Sequence, residues 1–346
     1  MRIAPVNERD SGTTTEPPRG EHSPKIGMTA SSVSEPPPAR QVQVVHGMSI
    51  DVEDHRQILS SRFRGDPGEV SAQFDRDMDE ILAILDATGT KATFFVIGTI
   101  AEQRPDCLRR WADLGHEIAS HGYAHKPIWA MTPTELREEL QSCKRRLEDT
   151  ISEPITGFRA PIFSVRWDSV WALDTISECG FTYDSSIVPV RMRRYGVAGF
   201  DPQPAPYLLP SGRRIVEIPL SIGRLWGRTM PVAGGGYFRL LPQVTIRRIL
   251  RRFTMRQEVF VVYCHPYDMS AQPFQSADLA ENWLDRLKGG LISFKSNLGR
   301  AKVRRLVRSI LETFRFGPLK DIAEKQETHE PKRLLAKACS DVRRPV

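Results

Sequence analysis

From Gln41 onward the apolar positions alternate between short unbroken runs and longer runs that recur at helical spacing. A strand buried on both faces reads as an unbroken run and a crossover helix shows one apolar face, so the alternation predicts parallel strands joined by helices. Val42 to Val52 reads as the first strand, and Phe74, Met78, Ile81, Leu82 and Leu85 form a helical face that stops before Gly89. A buried strand over Ala92 to Ile97, a helix near Pro105 to Leu114 and a strand at Glu117 to Ser120 follow. Thr132-Pro133-Thr134-Glu135 joins an N-cap, a proline at the first helical position and a capping-box glutamate, predicting a helix from there through Leu147. Further strands are expected at Ile155 to Arg159, Phe181 to Asp184, Ile215 to Pro219 and Val259 to Cys264. From Gly299 the pattern is that of a basic amphipathic helix, followed by Phe316-Gly317-Pro318-Leu319 and a polar, frayed end.

The strands end on polar, chemically capable residues. In an α/β barrel the strand C-termini face one site, so Asp51, His121, Arg159, Asp184 and His265 are placed to converge although they are far apart in sequence. His121 and His125, four residues apart after a strand end, can grip one metal ion. A catalytic zinc usually takes a third protein ligand, and Asp51, Glu53 and Asp54 are the acidic candidates. Burial and a nearby cation can separate the roles of these carboxylates, one binding metal while another takes a proton from water. The guanidinium fork of Arg159 can pin a carboxylate. His265, delivered by an apolar strand and oriented by a carboxylate such as Asp184, suits protonation of a leaving amine or alcohol. His46 and His116 read as structural.

A chain of 346 residues, 40% of them hydrophobic, suits one large catalytic domain with appendages. The expected layout is a disordered tail over 1–40, rich in Pro, Thr, Ser and Glu, a barrel over 41–270, a C-terminal helical extension over 271–325 and a polar tail over 326–346. No signal-peptide core and no run of roughly 20 apolar residues is visible. A cytoplasmic protein, or one peripheral at the inner membrane, is expected. The five cysteines are scattered, which indicates neither a disulfide framework nor a cysteine zinc site. The net charge of +7 is concentrated in Arg191 to Arg194, Arg247 to Arg256 and Arg300 to Arg308. These runs read as solvated faces, or as attraction to an anionic polysaccharide or an acidic membrane surface. No nucleic-acid-binding motif accompanies them.

Five segments in order, SIDVED at 49–54, HGYAH at 121–125, RAPIF at 159–163, YDSS at 183–186 and YCHPYD at 263–268, together with TFFVIG at 93–98, resemble the polysaccharide deacetylases of carbohydrate esterase family 4. The likeness covers Val44 to Asp268. The stretch from Gly234-Gly235-Gly236-Tyr237-Phe238-Arg239 to FRFGPL at 314–319 further resembles a subgroup found with bacterial exopolysaccharide export and exosortase loci. The resemblance implies a distorted, incomplete (β/α) barrel. It implies Asp51 as general base, His121 and His125 as ligands of a divalent metal, Arg159 orienting Asp51, and His265 as general acid tuned by Asp184. It also places a backbone N–H of Ile162 or Phe163 at the developing oxyanion.

The chain departs from the family pattern twice. Val52 separates Asp51 from the next acid, leaving Glu53 or Asp54 as the carboxylate ligand; strand alternation, and relatives with an Asp-x-Asp motif, favour Glu53. Ile162 intervenes before the aromatic of the third motif, which leaves the oxyanion donor open. The implied activity is removal of acetyl groups from N-acetylhexosamine units of a bacterial exopolysaccharide or its lipid-linked precursor. Zinc is the first choice of metal, with cobalt or another transition ion also suited. A membrane export complex is an expected peripheral partner. The rival readings are an amidase of the same barrel acting on a ureide or cyclic imide, and a catalytically silent carbohydrate-binding protein of an export system.

Overall fold

The computed structural model describes residues 44–65, 68–274, 279 and 283–334; the tail expected over 1–40 and residues 335–346 of the polar tail lie outside them. The strands are β1 (His46–Val52), β2 (Thr93–Val96), β3 (Glu117–Ser120), β4 (Gly157–Phe158), β5 (Tyr183–Asp184), β6 (Ala205–Leu208), β7 (Arg214–Glu217), β8 (Ile222–Leu225), β9 (Arg228–Pro231), β10 (Val261–Cys264), β11 (Phe316–Gly317) and β12 (Lys332–Arg333). Ten of them form one sheet in the order β10-β1-β2-β3-β4-β5-β7-β6-β12, with β11 beside β1. Every ladder in it is parallel except β6 against β7. The sheet runs open from β10 to β12, an incomplete (β/α) barrel as the sequence predicts.

All seven residues of β1 are buried, Met48, Ile50 and Val52 in the main core and the alternating Ser49 and Asp51 on the opposite face. Its neighbours β2 and β10 fix its register, Asp51 standing beside Phe95 and Ile50 beside Cys264. The helix Ala72–Ala87 is capped by the Ser71 side chain and buries Phe74, Met78, Ile81, Leu82 and Leu85 against the sheet. The helix Pro133–Ile151 opens with the capping box of Thr132 and Glu135, each accepting from the other's backbone N–H.

Some elements escape the sequence pattern. Pro206 disguises β6 as a loop, yet β6 lies between β7 and β12. The β8–β9 hairpin turns at Trp226 and Gly227, both at positive φ, and tryptophan there gives no turn signal. The C-terminal extension is part of the fold. Its helix Arg300–Thr313 buries Val303, Leu306, Val307, Ile310 and Leu311, after which β11 joins β1 and the helix Leu319–Glu327 packs beneath the sheet. The tail expected to fray from 326 instead carries β12, which pairs with β6.

Candidate active site

The strand C-termini bring the predicted residues together. At the end of β1 the side chains of Asp51, Glu53 and Asp54 are all buried and face different partners. Asp51 Oδ1 accepts a hydrogen bond from Arg159 Nη1 at 2.6 Å. Arg159, fully buried, also donates to Ser49 Oγ at 2.8 Å and, through Nε and Nη2, to Ser185 O at 3.1 Å and Ser185 Oγ at 2.9 Å. Its guanidinium lies 4.1 Å from the Phe95 ring centroid, so the fork is held on both its edge and its face.

Glu53 reaches across the end of β2. Its Oε1 lies 3.0 Å from His121 Nε2 and 3.0 Å from His125 Nε2, making a compact N, N, O donor set. Burial alone would raise the Glu53 carboxyl; the neighbouring His125 and His265, with the hydrogen bonds of His121 and His125, hold it well below its ordinary value. Burial lowers His125, and Glu53 more than reverses that, leaving it raised.

This donor set fits a divalent ion. His121 Nδ1 faces the Arg159 carbonyl oxygen at 2.8 Å and must donate to it, so a neutral ring has a bare Nε2 lone pair directed at Glu53 Oε1. Such a lone pair beside a carboxylate oxygen is free to share a bound cation, and imidazole with carboxylate is a zinc-like set.

Asp54, the other candidate ligand, is engaged elsewhere. It N-caps the helix His55–Arg64, accepting from Arg56 N at 2.9 Å, and its second oxygen accepts from Ser71 N at 2.7 Å. Both oxygens are directed at backbone donors, away from the imidazoles.

His265 follows β10, with Nε2 3.9 Å from Glu53 Oε2. Burial lowers its pKa, opposed by Glu53 and Asp51. The carboxylate that orients it is not Asp184. Asp268 Oδ2 accepts from His265 Nδ1 at 2.9 Å and from His265 N at 3.1 Å, and Asp268 is itself paired with Arg239. The spacing explains the geometry: Pro266 opens a helical turn, so Asp268, three positions after the N-cap His265, folds back over it. That His-Pro-x-Asp pattern was the available signal for Asp268. Tyr267 stacks on the His265 ring at 4.8 Å.

Asp184 belongs to the layer beneath Arg159. It accepts from Ser186 Oγ at 2.6 Å and Ser186 N at 3.0 Å, while Ser186 Oγ accepts from Ala160 N at 2.7 Å. Glu217 at the end of β7 lies beside it and accepts from Ile187 N at 3.0 Å. Burial raises both carboxyls, and the neighbouring Asp184 pushes Glu217 further up. Glu217 gave no motif signal; only the pairing of β5 with β7 brings it here.

Ile162 and Phe163 both have positive φ, 59° and 52°, in the turn after Arg159. The left-handed region is strained for a β-branched residue, so this turn is held by its surroundings. Phe163 N already donates to Ala160 O at 3.0 Å, whereas no described residue accepts from Ile162 N. A cleft of about 450 Å³ lined by Gln57, Ile97, Thr99, His125 and Lys126 opens beside the site.

Residues 66–183 match the polysaccharide deacetylase family profile, and residues 185–324 match a domain of unknown function, DUF3473. The geometry joins the two matches: His121, His125 and Arg159 fall in the first, His265 and Asp268 in the second, and Asp51 and Glu53 precede both. The chain is 33% identical over 109 residues to a peptidoglycan deacetylase-like protein of Gibberella zeae, covering 31% of each chain. It is 28% identical to a chitooligosaccharide deacetylase of Bradyrhizobium sp. over 28% of this chain and 42% of that one. A peptidoglycan-N-acetylglucosamine deacetylase of Bacillus cereus is 27% identical over 34% of this chain and 49% of its own. The match thus spans less than half the length of these relatives. Among solved structures, a Mycobacterium smegmatis protein assigned to the polysaccharide deacetylases superposes with TM-score 0.56 at 19% identity, covering 84% of this chain and 94% of that one. An allantoinase gives 0.54 at 16% identity, over 86% and 96%. These two likenesses speak to the fold.

Proposed function

We propose that this chain, whose residues 66–183 carry a polysaccharide deacetylase domain, is a metal-dependent hydrolase that removes acetyl groups from N-acetylhexosamine units. The observation that carries the reading is the convergence of His121 and His125 on one oxygen of Glu53, flanked by the Asp51–Arg159 pair on one side and the His265–Asp268 pair on the other. His121, His125 and Glu53 would hold the ion, zinc being the first choice. When bound, it supplies Lewis-acid polarisation of the acetyl carbonyl.

The chain's own groups supply the proton transfers. Asp51, fixed by its ion pair with Arg159, takes the proton of the attacking water. His265, held by Asp268 with Nε2 toward the site, delivers a proton to the departing nitrogen. The Ile162 N–H is the donor for the developing oxyanion, since that of Phe163 is already engaged. Asp184 is a positioning residue, acting through Ser186 on the backbone of Ala160, and Glu217 holds the Ile187 backbone N–H beside it.

The finer reading places the substrate in a bacterial exopolysaccharide or its lipid-linked precursor, following the likeness of residues 234–239 and 314–319 to deacetylases of exopolysaccharide and exosortase loci. The decisive assay is acetate release from N-acetylglucosamine oligomers and from the host's exopolysaccharide, before and after chelation and with zinc added back. Chelator-sensitive release that zinc restores is expected. Turnover of a ureide or cyclic imide with none of either saccharide would overturn the reading in favour of a small-molecule amidase.

A further inference from the structure

The helix Trp283–Asn297 keeps its apolar residues outside. Leu284, Leu287, Leu291, Phe294 and Leu298 recur at alternating steps of three and four, and each is more than half exposed, as is Trp283 at the helix start. Such a run lies along one stripe of a helix. The opposite face is the one that packs: Gly289 is buried, and Ile292 sits against Leu59, Phe274 and Leu279. Asn297 anchors the end of the helix, its side-chain amide exchanging hydrogen bonds of 2.7 and 2.8 Å with the backbone of Phe274. The helix is therefore fixed on the body of the protein with its apolar stripe outward. Isolated exposed leucines need no explanation, but a continuous stripe does.

The charges beside the stripe say what covers it. At about 100° per residue, Lys288 and Lys295 fall along one edge and Arg286 beyond the other. The helix has a single acid, Asp285, and Lys288 Nζ holds it at 2.9 Å. At the far end a hollow of about 440 Å³ is lined by Arg300, Arg304 and Arg305, Arg304 being paired with Glu80 at 2.9 Å. The buried Arg300 Nε has no partner among the described residues. Two copies of this face would bring like charges together along both edges, where a helix pair needs opposite ones. A leucine and phenylalanine stripe with an aromatic end and basic borders matches instead the boundary between acyl chains and acidic headgroups.

We propose that this face is a docking surface for an anionic phospholipid bilayer. The stripe enters the acyl boundary, and the lysines, with the arginine-lined hollow, engage the headgroup phosphates. The helix sits on Phe274, which contacts His55; the His55 ring is tilted against Tyr267, and His265 stacks on that ring. These contacts link the docking face to the candidate active site. The proposal stands whether or not the chain is a deacetylase.

The test is co-sedimentation of the full chain with vesicles of phosphatidylglycerol and phosphatidylethanolamine, against vesicles of phosphatidylcholine alone. Binding to the anionic vesicles that weakens with salt is expected, with little to the neutral ones. Leu287→Glu with Phe294→Glu, both at exposed positions, should lower the vesicle partition by at least about tenfold with an unchanged circular dichroism spectrum. Lys295→Glu with Arg305→Glu should remove the preference for anionic vesicles. Equal sedimentation of the parent and the Leu287/Phe294 variant would overturn the proposal. A dimer in analytical ultracentrifugation that this variant dissociates, together with no vesicle binding by the parent, would overturn it in favour of self-association.

Discussion

At the scale of single residues, neighbouring carboxylates are divided by what each one faces. Glu53 meets two imidazoles, whereas Asp54 accepts from the backbone N–H groups of Arg56 and Ser71. Glu53→Gln should therefore lower zinc affinity strongly, on the order of 100-fold, while Asp54→Asn leaves it near the parent value and lowers stability by about 1 kcal/mol, because the amide keeps the cap but no longer accepts from Ser71 N. Metal titration of the two variants decides it, and an affinity loss confined to the Asp54 variant would reverse the assignment. Asp268→Asn keeps a similar shape beside His265 but removes the charge. It should retain metal and lose on the order of 10- to 100-fold in acetate release, with the larger loss on amides, which need a protonated leaving group, than on activated esters. Equal losses on both would show that Asp268 does not act through an acid.

Between elements, the fit of one turn against another sets the orientation of His265. A Cβ on Gly235 would lie 2.0 Å from Asp268 Oδ2, so the helix Gly235–Leu240 can approach the turn after β10 only with glycine there. Gly236, one residue on, has open space around its Cβ position. Gly235→Ala should push Asp268 off the imidazole and reduce acetate release by on the order of tenfold or more at unchanged metal content, while Gly236→Ala stays close to the parent. Matching rates for the two variants would mean that the contact has no bearing on His265.

For the molecule as a whole, two buried histidines far from the candidate site set the response to acid. His46 accepts from Phe260 N at 3.2 Å through Nδ1 and His116 accepts from Ala92 N at 3.2 Å in the same way. Burial brings each down to about 4 from an ordinary value of 6.5. Both are neutral in the folded chain while the unfolded chain takes up protons, so their stabilising contribution is complete above about pH 6.5 and diminishes as the pH falls toward about 4. The denaturation midpoint should drop across that window, and replacing His46 and His116 together by Gln should flatten the profile there. An unchanged slope in the double variant would move the acid sensitivity to other groups.

The sequence alone determined the helices Ala72–Ala87, Pro105–Asp113, Pro133–Ile151 and Arg300–Thr313 and most of the parallel strands, because apolar periodicity and capping signals are local; helices such as His55–Arg64 and Gln243–Met255 were not read from it. It also placed the polar residues that converge, because side chains at strand C-termini share one end of a parallel sheet whatever their separation along the chain. Asp51, His121, His125, Arg159 and His265 were legible in this way. The partners of those residues were decided by tertiary structure. Glu53 and Asp54 are one bond apart in the chain, and only the caps and imidazoles brought up by other segments separate them. Asp268 takes the place expected of Asp184 because a helical turn begins at Pro266, and Glu217 enters the site only through the pairing of β5 with β7. Strand pairing, close approach at glycine and the choice among equivalent carboxylates depend on distances between remote segments, and a linear pattern of residue types carries no such distances.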